Sequence, residues 1–161
     1  MKSNITAELV SIHSAISRVN GLYAKWAQKH NINFYAMHIF YFLQKRGSVT
    51  QKQISEDSKI PKQSINNVII TLKNDGYISI VPGDRDKREK FIVLTEKGRC
   101  YVDEKLTPLL EIEERVLQKM GEELVKQLIA STTAYGDFFE QEMLKEKVLL
   151  DEVAQEERRT R

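Results

Sequence analysis

The chain contains 161 residues, of which 41% are hydrophobic and 30% are charged, with only 7 glycines and 3 prolines. This composition excludes a disordered or loop-dominated chain and predicts a helix-rich protein with a hydrophobic core. The longest stretch without Lys, Arg, Asp or Glu has 15 residues (30–44) and is too short to cross a bilayer. The N-terminus lacks the apolar core of a signal peptide, so we expect a cytoplasmic protein with no membrane partner.

Charge is distributed unevenly along the chain. Residues 1–44 carry 4 basic and 1 acidic side chains, residues 45–99 carry 12 and 7, and residues 100–161 carry 9 and 15. A basic middle segment is typical of a surface that binds a polyanion, whereas an acidic end segment is typical of solvated helix faces. This charge asymmetry is by itself only weak support for a polyanion-binding surface. The interpretation therefore depends on the residue pattern inside the basic segment.

Two helices are predicted before the basic segment. The first has apolar residues at alternating steps of four and three, which form the narrow stripe of a helix that packs on a partner helix. These residues are Ile5, Leu9, Ile12, Ile16, Val19, Tyr23 and Trp26. The second helix, Phe34–Arg46, is closed by Gly47 and is apolar nearly all round, so we expect it to be the buried central helix.

Seven of the thirteen aromatic residues fall between residues 23 and 42. Aromatic side chains at helical spacing usually pack in a core, but they also line clefts for small aromatic or apolar ligands. Both interpretations stay open for the candidate ligand-binding residues, which are Tyr23, Trp26, Phe34, Tyr35 and Phe40.

The basic segment opens with two short helices. Thr50 and Gln53 fit a capping box, which predicts a helix that ends near Ser58. Pro61 suits the first position of a second helix, and the apolar residues that follow it recur at i, i+3, i+4 and i+7 up to a stop at residues 75–76. Two short helices joined by a brief turn predict a helix-turn-helix.

A hairpin and a long helical region follow. Residues 77–81 and 91–94 are rich in β-branched and aromatic side chains and flank a charged turn at 82–90, which predicts two strands with a polar tip. A further helix begins at Thr95 and Glu96, bends at Pro108 and breaks at Gly121, and helical periodicity then continues over 122–150. We expect the charged tail 151–161 to fray.

The second short helix presents an amide-rich face. With its apolar residues facing inward, Gln63, Asn66, Asn67 and Asn74 point outward, with Lys62, Ser64 and Lys73 towards the flanks. Asn and Gln hydrogen-bond to adenine N6 and N7, whereas an ordinary solvated face favours Glu and Lys pairs. The same outward face contains Ile70, which contacts either a thymine methyl group or a neighbouring element.

The hairpin tip has the composition of a nucleic-acid-binding wing. A wing beside a recognition helix reaches the adjacent minor groove, where Arg is attracted by the negative potential of A·T tracts. We expect the carboxylate of Asp86 to hold the tip by pairing with the guanidinium of Arg88. The alternative is a mixed-charge tip that serves only solubility. The candidate DNA-binding residues are Thr50, Lys62, Gln63, Ser64, Asn66, Asn67, Lys73, Arg85, Lys87, Arg88 and Lys90.

In the order of its motifs the chain resembles the MarR family of bacterial transcription regulators. The segments that carry this resemblance are 50–54, 62–68, 75–78, 86–90 and 93–98. The Asp-x-Arg wing followed by Leu-Thr-x-x-Gly is its most specific part. The resemblance implies a triangular homodimer with residues 61–75 in the major groove, Arg88 in the minor groove, and a cleft for small aromatic or phenolic effectors. This chain has Asn67 where many members carry Arg, so guanine recognition is not implied there.

The predicted fold is mainly α with a small β-wing: a winged helix-turn-helix domain flanked by N- and C-terminal dimerisation helices. We predict one MarR-type domain over 1–161, with DNA binding in 32–99, dimerisation in 1–31 and 100–150, and an obligate homodimer. A two-fold dimer requires a pseudo-palindromic operator with half-sites about 10 bp apart. The amide face and the wing favour A·T-rich half-sites. The expected function is that of a repressor that responds to a small-molecule effector.

Other classes of function find little support. The sequence lacks phosphate-binding, dinucleotide-binding, zincin and serine-hydrolase motifs, so we predict no catalytic site, no cofactor and no enzyme. His13, His30 and His38 have no ligand-type partner at i+3 or i+4, so we predict no metal site and interpret His38 as a partly buried histidine. Cys100 is interpreted as a structural thiol. A winged helix used for protein contact is the alternative to DNA binding, and a small hydrolase or transferase is a distant third.

Overall fold

The computed structural model describes the backbone of residues 2–84 and 86–159 and the side chains of residues 4–84 and 86–147. The chain divides into two compact units, Met1–Leu110 and Glu111–Arg161. The elements in chain order are the helices and strands α1 (Lys2–Lys29), α2 (Phe34–Arg46), β1 (Ser48–Thr50), α3 (Gln51–Ser58), α4 (Lys62–Asn74), β2 (Ile78–Pro82), β3 (Lys90–Leu94) and α5 (Glu96–Arg159). The predicted fold class, mainly α with a small β-wing, is confirmed.

Helix α2 is the centre of the first unit, as its all-round apolar sequence predicts. Its N-cap is Asn33, whose side chain accepts hydrogen bonds from the backbone N–H groups of Tyr35 and Ala36 at 2.9 and 3.0 Å. Its C-cap is Gly47, where a φ of 73° favours glycine and the backbone N–H donates to the carbonyl of Leu43 at 2.8 Å. Its inward side chains Ile39, Phe40 and Leu43 are almost completely buried in the core.

The helix-turn-helix consists of α3 and α4. The capping box predicted for α3 is confirmed, because the Thr50 hydroxyl accepts from the Gln53 N–H at 3.1 Å and the Gln53 side chain accepts from the Thr50 N–H at 2.8 Å. Pro61 is the N-cap of α4 rather than its first residue. Helix α4 buries Ile65, Ile69 and Leu72 against the core, which fixes its opposite face towards solvent.

The wing is larger than the sequence predicts. The sheet has three antiparallel strands in the order β1-β3-β2, so the predicted hairpin β2–β3 is joined by a strand before α3. Val49 of β1 and Ile80 of β2 both pair with Ile92 of β3. Because β1 has only three residues, it lacks the alternating pattern by which longer strands are recognised.

A hydrogen-bonded joint connects α4, β2 and the start of α5. The hydroxyl of Thr95 donates to the carbonyl of Gly76 at 2.7 Å and accepts from the backbone N–H of Gly98 at 3.0 Å. The ammonium group of Lys97 donates to the carbonyl of Asp75 at 2.7 Å. The joint satisfies carbonyls after the last turn of α4 and ties that helix to the first turn of α5.

The second unit is helical throughout its described part. Gly121, with φ 74° and ψ 161°, interrupts α5, so the predicted break is confirmed. Pro108 lies within α5, in the first unit. Helix α5 continues as far as Arg159, whereas Thr160 and Arg161 lie outside the described residues. The fraying of the tail and the assignment of 1–31 and 100–150 to dimerisation stay predictions.

Among the described residues, the helices contain no segment with the length and apolarity that crossing a membrane requires.

Candidate nucleic-acid interface

The outward face of α4 presents two amides that are already coupled. Gln63 and Asn67 are both exposed, and Gln63 Nε2 donates a hydrogen bond to Asn67 Oδ1 at 3.3 Å. Asn66 and Ser64 are half-buried, and Asn74, the last residue of the helix, is exposed. After the mutual hydrogen bond, Gln63 retains a carbonyl oxygen and one N–H, and Asn67 retains its NH₂ group. These free groups match the donor and acceptor edge of adenine in a major groove.

Cations stand at both ends of this amide face. Lys62 lies in the first turn of α4 and Lys73 in the last, and both are exposed. Their spacing is that of the helix itself, roughly 16 Å along the axis. Ammonium groups placed at the two ends of a polar face are suited to phosphate contacts that fix the register of a helix on a duplex.

Thr50 has a different role from the one expected at the DNA surface. Its side chain is only 9% exposed, and its hydroxyl caps α3 as described above. A side chain that is buried and hydrogen-bonded in a cap is not available to phosphate. We therefore leave Thr50 out of the interface and assign it to the structure of the helix-turn-helix.

The tip of the wing is a hydrogen-bonded turn. The backbone N–H of Gly83 donates to the carbonyl of Glu89 at 2.9 Å, and that of Glu89 donates to the carbonyl of Asp86 at 3.0 Å. The carboxylate of Asp86 accepts from the backbone N–H of Arg88 at 2.9 Å. The expected pairing of Asp86 with the guanidinium of Arg88 is wrong for the described part of the wing, because the local turn brings the carboxylate to the backbone instead.

The cationic side chains of the tip face solvent. Lys87, Arg88 and Lys90 are all exposed, whereas Arg85 lies outside the described residues. The Asp86 carboxylate holds the backbone of Arg88 and does not engage its guanidinium. The wing therefore presents exposed cations on a hydrogen-bonded hairpin whose strand β2 contacts α4.

A cavity of about 490 Å³ lies in the first unit, between α2, α4 and the first turns of α5. Its lining mixes apolar side chains, amides and phenols: Asn31, Ile32, Asn33, Ala36, Phe40, Asn67, Val68, Thr71, Leu72, Asp75, Tyr77 and Tyr101. Asn67 therefore belongs both to the cavity and to the outward amide face.

The aromatic residues predicted to bind a ligand are mostly elsewhere. Only Phe40 lines the cavity. Trp26 stacks on His30 with ring centroids 4.0 Å apart, and Phe34 meets His38 edge-on at 4.7 Å. Tyr23, Trp26 and Phe34 pack against the core, and Tyr35 is 39% exposed. Ligand binding by these side chains stays a prediction.

Two tyrosines that the sequence did not single out form a wall of the cavity. The rings of Tyr77 and Tyr101 lie 4.4 Å apart, and Lys97 Nζ lies 4.7 Å from the centroid of Tyr77. Burial, followed by the neighbouring Tyr77, raises the pKa of Tyr101, so its hydroxyl is a neutral donor at physiological pH. No sequence signal links the two residues, since the strands β2 and β3, their turn and the start of α5 separate them in the chain.

His38 and Cys100 do not suggest further chemistry. His38 is half-buried, as predicted, and burial lowers its pKa, so its neutral form is favoured. Cys100 is exposed, so its interpretation as a packed structural thiol is wrong. The part of the chain that the structure describes contains no group of three or more His, Cys, Asp or Glu side chains with the arrangement of a metal site.

The sequence is similar to families of transcription regulators. A family profile described as sugar-specific transcriptional regulator TrmB matches residues 27–96, which include the helix-turn-helix and the wing. The HTH-type transcriptional regulator PetP of Rhodobacter capsulatus is 38% identical over 58 residues, or 36% of this chain and 35% of PetP. The HTH-type transcriptional regulator YwoH of Bacillus subtilis is 29% identical over 85 residues, or 53% of this chain and 61% of YwoH. The chain thus spans less than two thirds of both curated relatives.

The fold is also found in a solved structure. NMB1585, a MarR family regulator from Neisseria meningitidis, superposes with a TM-score of 0.77 and 27% sequence identity. The superposition covers 86% of this chain and 97% of that protein, so it includes the helices that flank the winged helix.

Proposed function

We propose that the chain is a winged helix-turn-helix transcription regulator of the MarR type, as its superposition on NMB1585 supports, and that it binds duplex DNA as a homodimer and represses transcription. The observation that carries this proposal is the outward face of α4. It combines an exposed, mutually hydrogen-bonded amide pair with a cation at each end, on a helix whose opposite face is fixed in the core. Amides read adenine, and lysines hold phosphate.

The same geometry favours DNA over the alternative of a protein-binding winged helix. The core of a protein interface is depleted of charged side chains, whereas this face carries Lys62 and Lys73 and stands beside a wing with further cations. In the proposed complex α4 enters the major groove, and Arg88 follows the adjacent minor groove. The operator is then an A·T-rich pseudo-palindrome. A cytoplasmic location and the absence of enzyme activity stay predictions.

The salt dependence of DNA binding tests this proposal. We expect Arg88→Ala to lower affinity about tenfold or more for duplexes with A·T-rich flanks, because the wing loses its minor-groove cation. Lys62→Ala and Lys73→Ala are expected to weaken binding to all duplexes nearly uniformly and to reduce the slope of log K against log salt by about one unit each, since each removes one phosphate contact. Fluorescence anisotropy between 50 and 300 mM salt measures both quantities.

Arg115→Ala is the matched control for these variants, because Arg115 is an exposed cation of the second unit. It should leave both affinity and salt slope unchanged. Unaltered affinity in Arg88→Ala would show that the wing stays outside the groove. Binding that depends little on salt in the unmodified protein would instead favour the protein-contact function.

The proposed homodimer rests on apolar surface that each unit exposes. Helix α1 leaves its stripe and the residues beside it in solvent: Ile5, Leu9, Val10, Ile12, Ile16, Val19 and Leu22 are between 36% and 62% exposed. The second unit exposes a comparable set, which is Ile112, Val116, Leu117, Leu124, Leu128, Ile129, Phe138, Phe139, Met143 and Leu144. Monomeric proteins rarely leave large apolar patches uncovered, so we infer that a second copy covers these side chains.

We expect the protein to sediment as a dimer at micromolar concentration. Leu9→Glu should produce monomers or unfolded chains, because it places a charge in the α1 stripe, whereas Ser11→Glu, on another side of the same helix, should leave the dimer intact. Analytical ultracentrifugation with circular dichroism at the same concentrations distinguishes these states. A well-folded monomer of the unmodified protein at these concentrations would contradict the proposed dimer.

The cavity is proposed as the site of a small aromatic effector. The phenol hydroxyls of Tyr77 and Tyr101 and the amides of Asn31 and Asn33 offer hydrogen bonds, and the apolar floor suits a ring. The lining contains a carboxylate, Asp75, which favours a neutral ligand over an aromatic acid. A ligand there would touch Asn67 and so change the face that reads DNA.

Titration with phenol and 4-hydroxybenzamide, beside the anion 4-hydroxybenzoate, tests this site. We expect the neutral compounds at millimolar concentration to change DNA affinity at least about threefold and the anion to act less, because of Asp75. Tyr101→Phe should weaken the response, and Tyr135→Phe, a tyrosine of the second unit, should not. Identical responses in the unmodified protein, Tyr101→Phe and Tyr135→Phe would place any effector outside this cavity.

A further inference from the structure

Ile70 is an apolar side chain on an otherwise polar surface. It is 50% exposed, whereas Ile69 beside it is 4% exposed and belongs to the core. Of the two interpretations that the sequence left open, packing on a neighbouring element does not account for the half of this side chain that is exposed among the described residues. That exposed half is available to a partner that binds the outward face of α4.

The position of Ile70 on the helix is the second observation. Gln63, Asn67, Ile70 and Asn74 follow one another at steps of four, three and four, so they form one line along the outward face of α4. Ile70 lies about 4.5 Å beyond Asn67 along the helix axis. Successive bases of one strand are separated by about 3.4 Å. The group that Ile70 contacts therefore lies on the base pair that Asn67 contacts or on the adjacent base pair.

We propose that Ile70 is a specificity-determining residue that contacts the C5-methyl group of a thymine next to the base read by Asn67. The inference rests on the proposed DNA-binding function and adds the one contact that amides cannot make. In the major groove thymine differs from cytosine by its methyl group, which apolar side chains recognise. Exposed Lys62 and Lys73, at the two ends of the line, complement the charge of DNA, which favours DNA over an apolar protein surface as the partner of this face.

Deoxyuridine, which lacks only that methyl group, provides the test. A duplex selected from a random pool by the unmodified protein is remade as a series, each member having deoxyuridine in place of one thymine and of its symmetry-related thymine in the other half-site. We expect one replacement in each half-site to lower affinity about three- to tenfold, the effect of losing one buried methyl contact at each of two symmetric positions. Ile70→Ala should lose a similar factor on the thymine duplex and no longer distinguish thymine from deoxyuridine. Ile70→Val should retain part of the discrimination.

Ile80→Ala is the matched control, because Ile80 is an apolar side chain of the wing with 38% exposure. It should discriminate thymine from deoxyuridine as the unmodified protein does. Equal binding of every deoxyuridine duplex by the unmodified protein, or discrimination that survives in Ile70→Ala, would overturn the inference and leave DNA binding standing. Failure to select any duplex above the random pool would overturn the proposed function and the inference together. Dissociation of the dimer by Ile70→Ala would show that a second copy covers this residue.

Discussion

Replacing Gly98 with alanine is expected to lower the free energy of unfolding by more than about 3 kcal/mol, the upper range for overpacking a core. A Cβ atom at this position would overlap the carbonyl oxygen of Tyr77 and lie 2.8 Å from its carbonyl carbon. Both neighbours are backbone atoms, so no side-chain rotation relieves the overlap. The first turn of α5 would have to move away from the residue that precedes β2.

The displacement would reach the proposed DNA-binding face of α4 through the joint described above. The backbone N–H of Gly98 donates to the Thr95 hydroxyl, which in turn donates to the carbonyl of Gly76 just after α4. Opening that joint leaves the end of α4 without two of its partners. We therefore expect Gly98→Ala to lose DNA affinity at temperatures where the remaining helices still show their circular dichroism.

Gly136→Ala provides the matched control. Nothing lies within 4 Å of a Cβ atom at this helical glycine, and alanine is favoured over glycine in a helix by about 1 kcal/mol. Thermal and urea unfolding should show unchanged or higher stability for Gly136→Ala and a large loss for Gly98→Ala. Equal midpoints for both variants would mean that the close contact at Tyr77 has no energetic role.

The parts of the fold that could be predicted from sequence are those whose signals are local. The capping box at Thr50, the glycine that ends α2 and the break at Gly121 each depend on residues within one turn, and all three are confirmed. Strand β1 could not be predicted in this way. Its pairing of Val49 with Ile92 joins residues distant in the chain, and three residues do not form a recognisable pattern.

In the candidate site, too, the features that could be predicted are those with local sequence signals. The outward position of Gln63 and Asn67 follows from helical periodicity alone. The hydrogen bond of Asp86 to a backbone N–H rather than to a guanidinium depends on the turn geometry of the wing, which composition does not reveal. The cavity required tertiary structure, because Tyr77 and Tyr101 meet only when α5 packs beside the end of α4.

Asn67→Ala is expected to lower affinity for the selected operator by about 1–3 kcal/mol, or about 5- to 150-fold, and to relax the preference at one base pair in each half-site. Gln63→Ala should have a similar effect at the neighbouring position. A bidentate amide contact distinguishes adenine from the other bases, so its loss changes specificity and not only strength. Binding to a panel of duplexes with one base pair changed at a time measures the two effects separately.

The affinity losses caused by Asn67→Ala and by Gln63→Ala should not be additive. Gln63 Nε2 donates to Asn67 Oδ1 in the free protein, so each amide orients the other before DNA arrives. Removing either one leaves its partner free to rotate, and the double variant should therefore cost less than the two single variants combined. Additive losses would indicate that each amide reads its base independently.

Asn74→Ala is the matched control, since Asn74 is an exposed amide on the same line of α4 at its C-terminal end. Helix-turn-helix proteins contact base edges with residues near the start of the recognition helix, so this variant should leave the base preference unchanged. If Asn74→Ala relaxes specificity while Asn67→Ala does not, α4 enters the groove by its other end. G·C-rich selected half-sites would contradict the assignment of Gln63 and Asn67 to adenine, while the helix could still occupy the major groove.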